Sequence, residues 1–226
     1  MKWPKLLRRF IVPAFVIICT VAFAPLDVFR LWIAPLPDTV QEQVDNSICH
    51  GLDGVIVYVD KKGSDPEFYS AGWNNRENKI PADPQALFKI ASISKLFIAV
   101  AVAKLAHNKT ISLDKTLADY LPELKGRIEN ADKITLRLMA QHRSGIPDFI
   151  DDLALPWSNL PTNTNEFLKL VLDKPADFKP NNRYSYSNTN YLLIGNILDK
   201  ALGYSHHEFI RYEISDRLGL THTCGL

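Results

Sequence analysis

The sequence predicts an α+β fold, in which a short antiparallel hairpin precedes a longer series of helices. Residues 54–60 and 67–73 have the composition of strands, and the turn-forming residues 61–66 separate them. Helical segments then follow one another from residue 91 onward. Strands that are followed by helices, and do not alternate with them, are typical of α+β proteins.

Six helices are predicted, near residues 91–107, 114–121, 135–141, 164–173, 190–202 and 206–217. The fourth begins after Asn163, with Glu166 three residues further on, which is an N-terminal capping pattern. The last two end at Gly203 and Gly219, and glycine is favoured just beyond the end of a helix.

Two polar stretches, residues 74–85 and 147–161, are predicted to be loops. The second contains Asp148, Asp151 and Asp152, whose spacing indicates no partner. We interpret these three carboxylates as solvated loop residues.

The tetrapeptide Ser92-Ile93-Ser94-Lys95 stands at the start of the first helix. Ser92 and Lys95 are three residues apart and therefore share one helix face. Because the helix is apolar nearly all round, we expect it in the interior, where desolvation favours a neutral amine that can accept a proton. A serine hydroxyl needs such a base to become a nucleophile. The alternative is that Ser92 caps the helix and Lys95 extends to solvent.

A second polar cluster, residues 184–191, leads directly into the apolar start of the fifth helix. Tyr186 and Asn188 lie two residues apart, so in an extended segment their side chains point to the same side. A phenol beside a lysine can relay protons, and a carboxamide can hold both a substrate carbonyl and an amine. This cluster favours the catalytic interpretation of Ser92.

Ser92-x-x-Lys95 followed by Tyr186-Ser187-Asn188 resembles the penicillin-recognising serine hydrolases. The matching branch contains class C β-lactamases, D-alanyl-D-alanine carboxypeptidases and related esterases. The resemblance implies a β-lactamase/transpeptidase-like fold over residues 38–226, an antiparallel sheet with a helical subdomain. It implies catalytic roles for Ser92, Lys95 and Tyr186 and substrate binding by Asn188, with no cofactor and no metal. Other matching segments are residues 54–59, 69–73, 111–115, 134–146 and 219–223.

The resemblance also implies a third motif, Lys-Thr-Gly or His-x-Gly, which no triplet after Tyr186 matches. We therefore expect a C-terminally truncated chain that lacks later sheet strands and one backbone donor of the oxyanion hole, and that is inactive or nearly so. The family function is acyl transfer from a β-lactam, a D-Ala-D-Ala peptide or an ester through an acyl-enzyme. The alternatives are a catalytically inactive truncated homologue, a membrane-tethered binding protein, and a degraded gene product that does not fold stably.

The charges of the chain are balanced, with 26 basic and 25 acidic residues and a formal net charge of +1. No basic block with interleaved aromatic residues is present, so nothing indicates nucleic-acid binding. The expected partners are a small-molecule or peptidoglycan-peptide substrate and the inner membrane, and the oligomeric state is left open.

Residues 1–37 are predicted to be a signal anchor and linker. The positive charges of Lys2, Lys5, Arg8 and Arg9 precede an apolar stretch, residues 10–24, which is typical of a secretory signal or an anchor. We expect attachment to the inner membrane, with the domain facing the periplasm or the exterior. The alternative is secretion after cleavage.

Cys49 and Cys224 would then lie on the exported side of the membrane, where a disulfide is permitted. Their positions in the sequence leave open whether they pair.

Overall fold

The computed structural model describes residues 10–16, 18–19, 28, 32–161 and 163–223. The chain forms two compact units, residues 1–87 and residues 88–226. The four basic residues before the apolar stretch, residues 17 and 20–24 of that stretch, and Cys224 lie outside the described residues. In the part of the chain that is described, no helix combines the length and apolar character needed to cross a bilayer.

In the described part of the first unit, residues 10–16 and 18–19 are helical, and a further helix precedes a three-stranded antiparallel sheet. Helix α1 (Val40–Cys49) precedes strands β1 (Gly54–Val59), β2 (Glu67–Asn75) and β3 (Ile80–Pro81), and the sheet order is β1-β2-β3. Helix α1 packs against β1 and β2. Its Val44 is buried, and the side chain of Gln41 donates a 3.1 Å hydrogen bond to the Ser70 carbonyl in β2.

The predicted hairpin is confirmed, with Gly54 opposite Gly72 and Val59 opposite Glu67. The prediction of a loop over residues 74–85 is wrong in part, because β3 lies within it and pairs with the end of β2. Helix α1 was not predicted, although Thr39 and Glu42 form a complete capping box at its start.

The second unit is helical. Its α-helices are α2 (Ser94–His107), α3 (Leu117–Tyr120), α4 (Leu136–Ala140), α5 (Thr164–Lys169), α6 (Asn188–Leu202) and α7 (His206–Ile210). A π-helical turn (Arg211–Ser215) and a 3-10 turn (Asp216–Leu218) continue α7. All six predicted helices are therefore confirmed, and α6 and the last 3-10 turn end at Gly203 and Gly219 in left-handed conformations, as predicted.

Helix α6 lies at the centre of the hydrophobic core of this unit, with Leu193, Ile194 and Ile197 fully buried. Helices α2 and α4 both pack against it. Because α2 carries the Ser-x-x-Lys motif and α6 begins at the Tyr-x-Asn motif, the packing of these two helices brings the two motifs together.

The expectation that α2 is buried throughout is wrong for its first half. Ala101, Val102 and Leu105 are buried, whereas Ile93 and Leu96 are 59% and 64% exposed. The buried side chains come from the second half of the helix. In the first half, Phe97 and Ile98 pack against the core but are only partly buried, and the turn before the helix presents Ser92 at the surface. The sequence could not show this difference because the helix is apolar on all sides.

Gly145 is expected to be essential for the turn that precedes the site. Its φ of +81° lies in the left-handed region, and an added Cβ would overlap the carbonyl oxygen of Phe178. We expect Gly145→Ala to lower the free energy of unfolding by at least ~2 kcal/mol, from backbone strain and overpacking together. Urea unfolding monitored by circular dichroism measures the change.

Gly126 provides the matched control for this prediction. Its φ is +80°, but nothing lies within 4 Å of an added Cβ. Gly126→Ala should therefore show only the backbone cost, about 1–2 kcal/mol. Equal destabilisation by the two substitutions would contradict the role assigned to the Phe178 contact.

Candidate active site

Two segments position the four predicted site residues. Ser92 lies in a 3-10 turn (Ala91–Ile93) that runs directly into α2, and Lys95 is in the first turn of α2. Tyr186 lies in the segment before α6, and Asn188 is the first residue of α6. All four lie within the second unit, and the structure brings them together although the two motifs are more than 90 residues apart in sequence.

The four side chains form one hydrogen-bonded group. The Ser92 hydroxyl is 2.8 Å from the Tyr186 hydroxyl, and Lys95 Nζ donates to Ser92 Oγ at 3.2 Å. Lys95 Nζ also donates to Asn188 Oδ1 at 2.8 Å, and the Tyr186 hydroxyl lies 3.4 Å from the same oxygen. Ser92 is therefore within proton-transfer distance of both a phenol and an amine.

The alternative interpretation of Ser92 as a helix cap is wrong. Its hydroxyl contacts Tyr186 and Lys95, and no side chain caps either the 3-10 turn or α2. The hydroxyl of Ser94 instead donates to the Ala91 carbonyl at 2.8 Å. Lys95 likewise does not extend to solvent, since its amine is held by Ser92 and Asn188.

Ala91, immediately before Ser92, has a φ of +46°. A left-handed conformation is unfavourable for a residue with a Cβ, and such strain is concentrated at functional sites. The turn therefore holds the Ser92 side chain in a direction that a regular helix start would not give.

The environment of Tyr186 favours loss of its phenolic proton. Burial raises the pKa of Tyr186, but hydrogen bonds from Lys95 and Ser92 and the positive charge of Lys95 outweigh this effect. The net result is a pKa below the ordinary value of 10.0. Tyr186 is therefore a candidate proton acceptor for the Ser92 hydroxyl.

Asp148 is a member of the site that the sequence did not reveal. Its Oδ2 accepts hydrogen bonds from the Asn188 backbone N–H at 3.0 Å and from Asn188 Nδ2 at 2.8 Å. The interpretation of Asp148 as a solvated loop carboxylate is therefore wrong. A signal for this contact was missing because Asp148 and Asn188 are 40 residues apart and neither spacing nor periodicity links them.

His142 is a second supporting residue; it lies in segment 134–146, which resembles the family, but the sequence indicated no role for it. It is buried, its ring stacks on Tyr186 with centroids 4.5 Å apart, and Tyr191 lies on it at 5.2 Å. Its Nδ1 accepts a 3.1 Å hydrogen bond from the Ser187 backbone N–H. His142 therefore supports both Tyr186 and the backbone that leads to Asn188.

We expect the stability of the protein to fall as the pH is lowered, in part because of His142. Burial, followed by the charge of Lys95, lowers the pKa of His142 below 6.5 and outweighs the opposing charge of Asp148. Between the lowered pKa and pH 6.5, the unfolded chain therefore binds a proton at His142 and the folded chain does not. The contribution of neutral His142 is complete above pH 6.5 and is lost as the pH falls from there to the lowered pKa.

His142→Asn tests this prediction, because asparagine tolerates the left-handed φ of +55° at this position and has an oxygen that can accept from Ser187. Urea unfolding at several values between about pH 5 and pH 8 should show a smaller pH dependence for the variant. His207→Asn should reduce the pH dependence in the same direction, because burial also lowers the pKa of His207. An unchanged pH dependence in His142→Asn would contradict the prediction.

A serine in hydrogen-bond contact with a lysine and a tyrosine, just before a helix that packs into the core, is an arrangement typical of serine hydrolases. The sequence pattern of the family described as Beta-lactamase matches residues 37–224 of the chain. The chain belongs to the beta-lactamase family.

Individual relatives agree with this assignment. The chain is 27% identical over 195 residues to protein flp of Staphylococcus aureus (strain N315), which covers 83% of the chain. It is 26% identical over 178 residues to penicillin-binding protein 4* of Bacillus subtilis (strain 168), covering 77% of the chain. The structure is similar to that of D-amino acid amidase from Ochrobactrum anthropi SV3 in complex with L-phenylalanine amide, with a TM-score of 0.70 and 28% identity over 83% of the chain.

The chain spans only part of these relatives. It covers 39% of protein flp, 38% of penicillin-binding protein 4* and 51% of the amidase. The β-lactamase/transpeptidase-like fold is nevertheless confirmed, with a small antiparallel sheet and a set of helices.

Proposed function

We propose that this protein is a serine hydrolase that acts through an acyl-enzyme on an amide or ester, in the form of a β-lactam, a D-Ala-D-Ala peptide or a simple ester. The observation that supports the proposal is the contact of Ser92 Oγ with both the Tyr186 hydroxyl and the Lys95 amine, at 2.8 and 3.2 Å. Membership of the beta-lactamase family and the similarity to a D-amino acid amidase point to the same class of reaction.

In the proposed acylation step, Ser92 Oγ attacks the substrate carbonyl carbon and its proton passes to the Tyr186 phenolate. In this proposal Lys95 acts as an ammonium that stabilises the phenolate, and not as the neutral base that was expected from the sequence. The C–N or C–O bond then breaks, and the leaving group takes the proton from Tyr186. Water attacks the resulting ester and loses a proton to the Tyr186 phenolate. The bond between the acyl carbon and Ser92 Oγ then breaks, Tyr186 returns the proton to Ser92 Oγ, and the carboxylic acid product leaves.

The Ser92 backbone N–H is the proposed donor to the developing oxyanion. It lies in the first turn of the helical segment that leads into α2, where backbone N–H groups lack intrahelical acceptors. Asn188 is proposed to bind the substrate carbonyl, since Nδ2 has two hydrogens and Asp148 uses one of them.

The experiment is to incubate the full-length protein, with any residues that its gene encodes beyond the given sequence, with a fluorescent penicillin and a fluorophosphonate. Turnover of nitrocefin, a D-Ala-D-Ala peptide, a D-amino acid amide and a p-nitrophenyl ester is then measured. We expect a covalent adduct on Ser92 and hydrolysis of at least one of these substrates. Reversible binding without any adduct would overturn the proposal and favour a non-catalytic binding protein.

We further propose that residues 1–37 direct export and attach the domain to the inner membrane, facing the periplasm or the exterior. Support for this comes from the sequence, where four basic residues precede an apolar stretch. Fractionation of cells that express the protein tests it, and recovery of all of the protein from the cytosol would contradict it.

A further inference from the structure

The Asn188 carboxamide has two chemically different ends, and both ends have partners in the site. Its Oδ1 accepts from Lys95 Nζ at 2.8 Å, and its Nδ2 donates to Asp148 Oδ2 at 2.8 Å. A lysine ammonium can only donate and an ionised carboxylate can only accept. A flipped amide would face Lys95 with its NH₂ group and Asp148 with its oxygen, so that both contacts would become unfavourable.

Asp148 is itself held in a fixed position. Its Oδ2 accepts from the Asn188 backbone N–H at 3.0 Å, and its Oδ1 accepts from the Ile150 backbone N–H at 3.2 Å. The carboxylate therefore ties the start of α6 to the 3-10 turn Phe149–Asp151, which it caps. The same atom, Oδ2, fixes both the backbone and the side chain of Asn188.

We propose that Asp148 is a positioning residue that sets the orientation of the Asn188 amide. Through this orientation it aims the Lys95 amine at Ser92 and directs the remaining Nδ2 hydrogen toward the substrate carbonyl. The expected kinetic effect rests on the proposed function, whereas the orientation of the Asn188 amide rests on the geometry alone. Asp148 does not touch the reacting atoms; its hydrogen bonds in the site act on Asn188, and its charge opposes the lowering of the pKa of Tyr186.

Two substitutions of Asp148 separate this role from its capping of the 3-10 turn. Asp148→Ser keeps an N-cap oxygen for the Ile150 N–H but is too short to replace the carboxylate at Asn188. Asp148→Asn keeps the length but loses the charge that selects the NH₂ end. We expect both to lower kcat/KM by about 10–100-fold, the usual effect of losing a hydrogen bond to a charged group. Asp151→Asn, an exposed carboxylate in the same turn, is the matched control and should be unchanged.

A double-mutant cycle with Asn188→Ala tests whether Asp148 acts through Asn188. In the Asn188→Ala background, Asp148→Ser should have less than about a twofold further effect. A merely structural role would give the same loss in both backgrounds. Full activity of Asp148→Ser, additive losses, or loss of the folded circular dichroism spectrum in both Asp148 variants would each overturn the proposal.

A measurement that needs no turnover accompanies the kinetics. In ¹⁵N-labelled protein, one Nδ2 proton of Asn188 should resonate downfield because it donates to a carboxylate, and Asp148→Ser should remove that shift. An Asn188 side-chain resonance that is the same in both proteins would overturn the proposal. If the unmodified protein shows no Ser92-dependent adduct, the proposed function fails, and the resonance still decides the orientation.

Discussion

Ser92→Ala is expected to abolish covalent labelling by a fluorescent penicillin and by a fluorophosphonate. The hydroxyl of Ser92 contacts both Tyr186 and Lys95, and alanine leaves no nucleophile in their place. In a well-studied serine protease, loss of the nucleophile lowers kcat by about 10⁶-fold, so hydrolysis should fall to the background rate. Gel fluorescence and steady-state turnover of the best substrate measure the two effects.

Ser94→Ala is the control, since it removes a serine two residues away, at the first position of α2. The Ser94 hydroxyl donates to the Ala91 carbonyl and takes no part in the contacts among Ser92, Tyr186 and Lys95. Labelling should therefore persist in Ser94→Ala, and mass spectrometry of the unmodified protein should place the adduct on Ser92. Labelling that survives Ser92→Ala, or an adduct on Ser94, would show that the nucleophile has been misassigned.

Much of the site could be predicted because its four predicted residues lie in two short sequence motifs. Ser92 and Lys95 share a helix face through their spacing, and Tyr186 and Asn188 share a side of one segment. Neither argument could show that the two pairs of residues lie close together in the fold. That step came from the family resemblance, and the structure confirms the proximity through the contacts of Tyr186 and Asn188 with α2.

The supporting residues could not be predicted for a physical reason. Asp148 and His142 act through contacts with residues about 40 positions away, and such contacts leave no periodicity in a single sequence. The prediction that α2 is buried over its whole length failed for a related reason. A helix that is apolar on every side has no amphipathic pattern that could show which half joins the core.

The elements of the first unit show a different limit. Helix α1 could have been predicted, because Thr39 and Glu42 give a capping box and Val40, Val44 and Ile48 recur at helical spacing. Strand β3 has only two residues, Ile80 and Pro81, which is too short for alternation to be visible. Its pairing with β2 is set by tertiary structure.

Lys95→Ala is expected to lower kcat/KM at neutral pH by about 10²–10⁴-fold, the usual effect of removing a group that takes part in proton transfer. Lys95 lowers the pKa of Tyr186 by hydrogen bonding and by its charge. Without it the pKa of Tyr186 rises, so a smaller fraction of the phenol is ionised at neutral pH. The acidic limb of the pH–rate profile should therefore move to higher pH, and part of the activity should return as the pH is raised.

The pH dependence distinguishes a chemical role of Lys95 from a structural one. Tyr186→Phe removes the proposed base, and its residual rate should lack this limb, whereas Lys89→Ala, an exposed lysine outside the site, should match the unmodified protein. Circular dichroism should show that Lys95→Ala remains folded, because the side chain is only half-buried and contributes nothing to the apolar core. An unfolded variant, or a loss of rate that is uniform across the pH range, would make Lys95 a structural residue and leave Tyr186 without the partner that the mechanism requires.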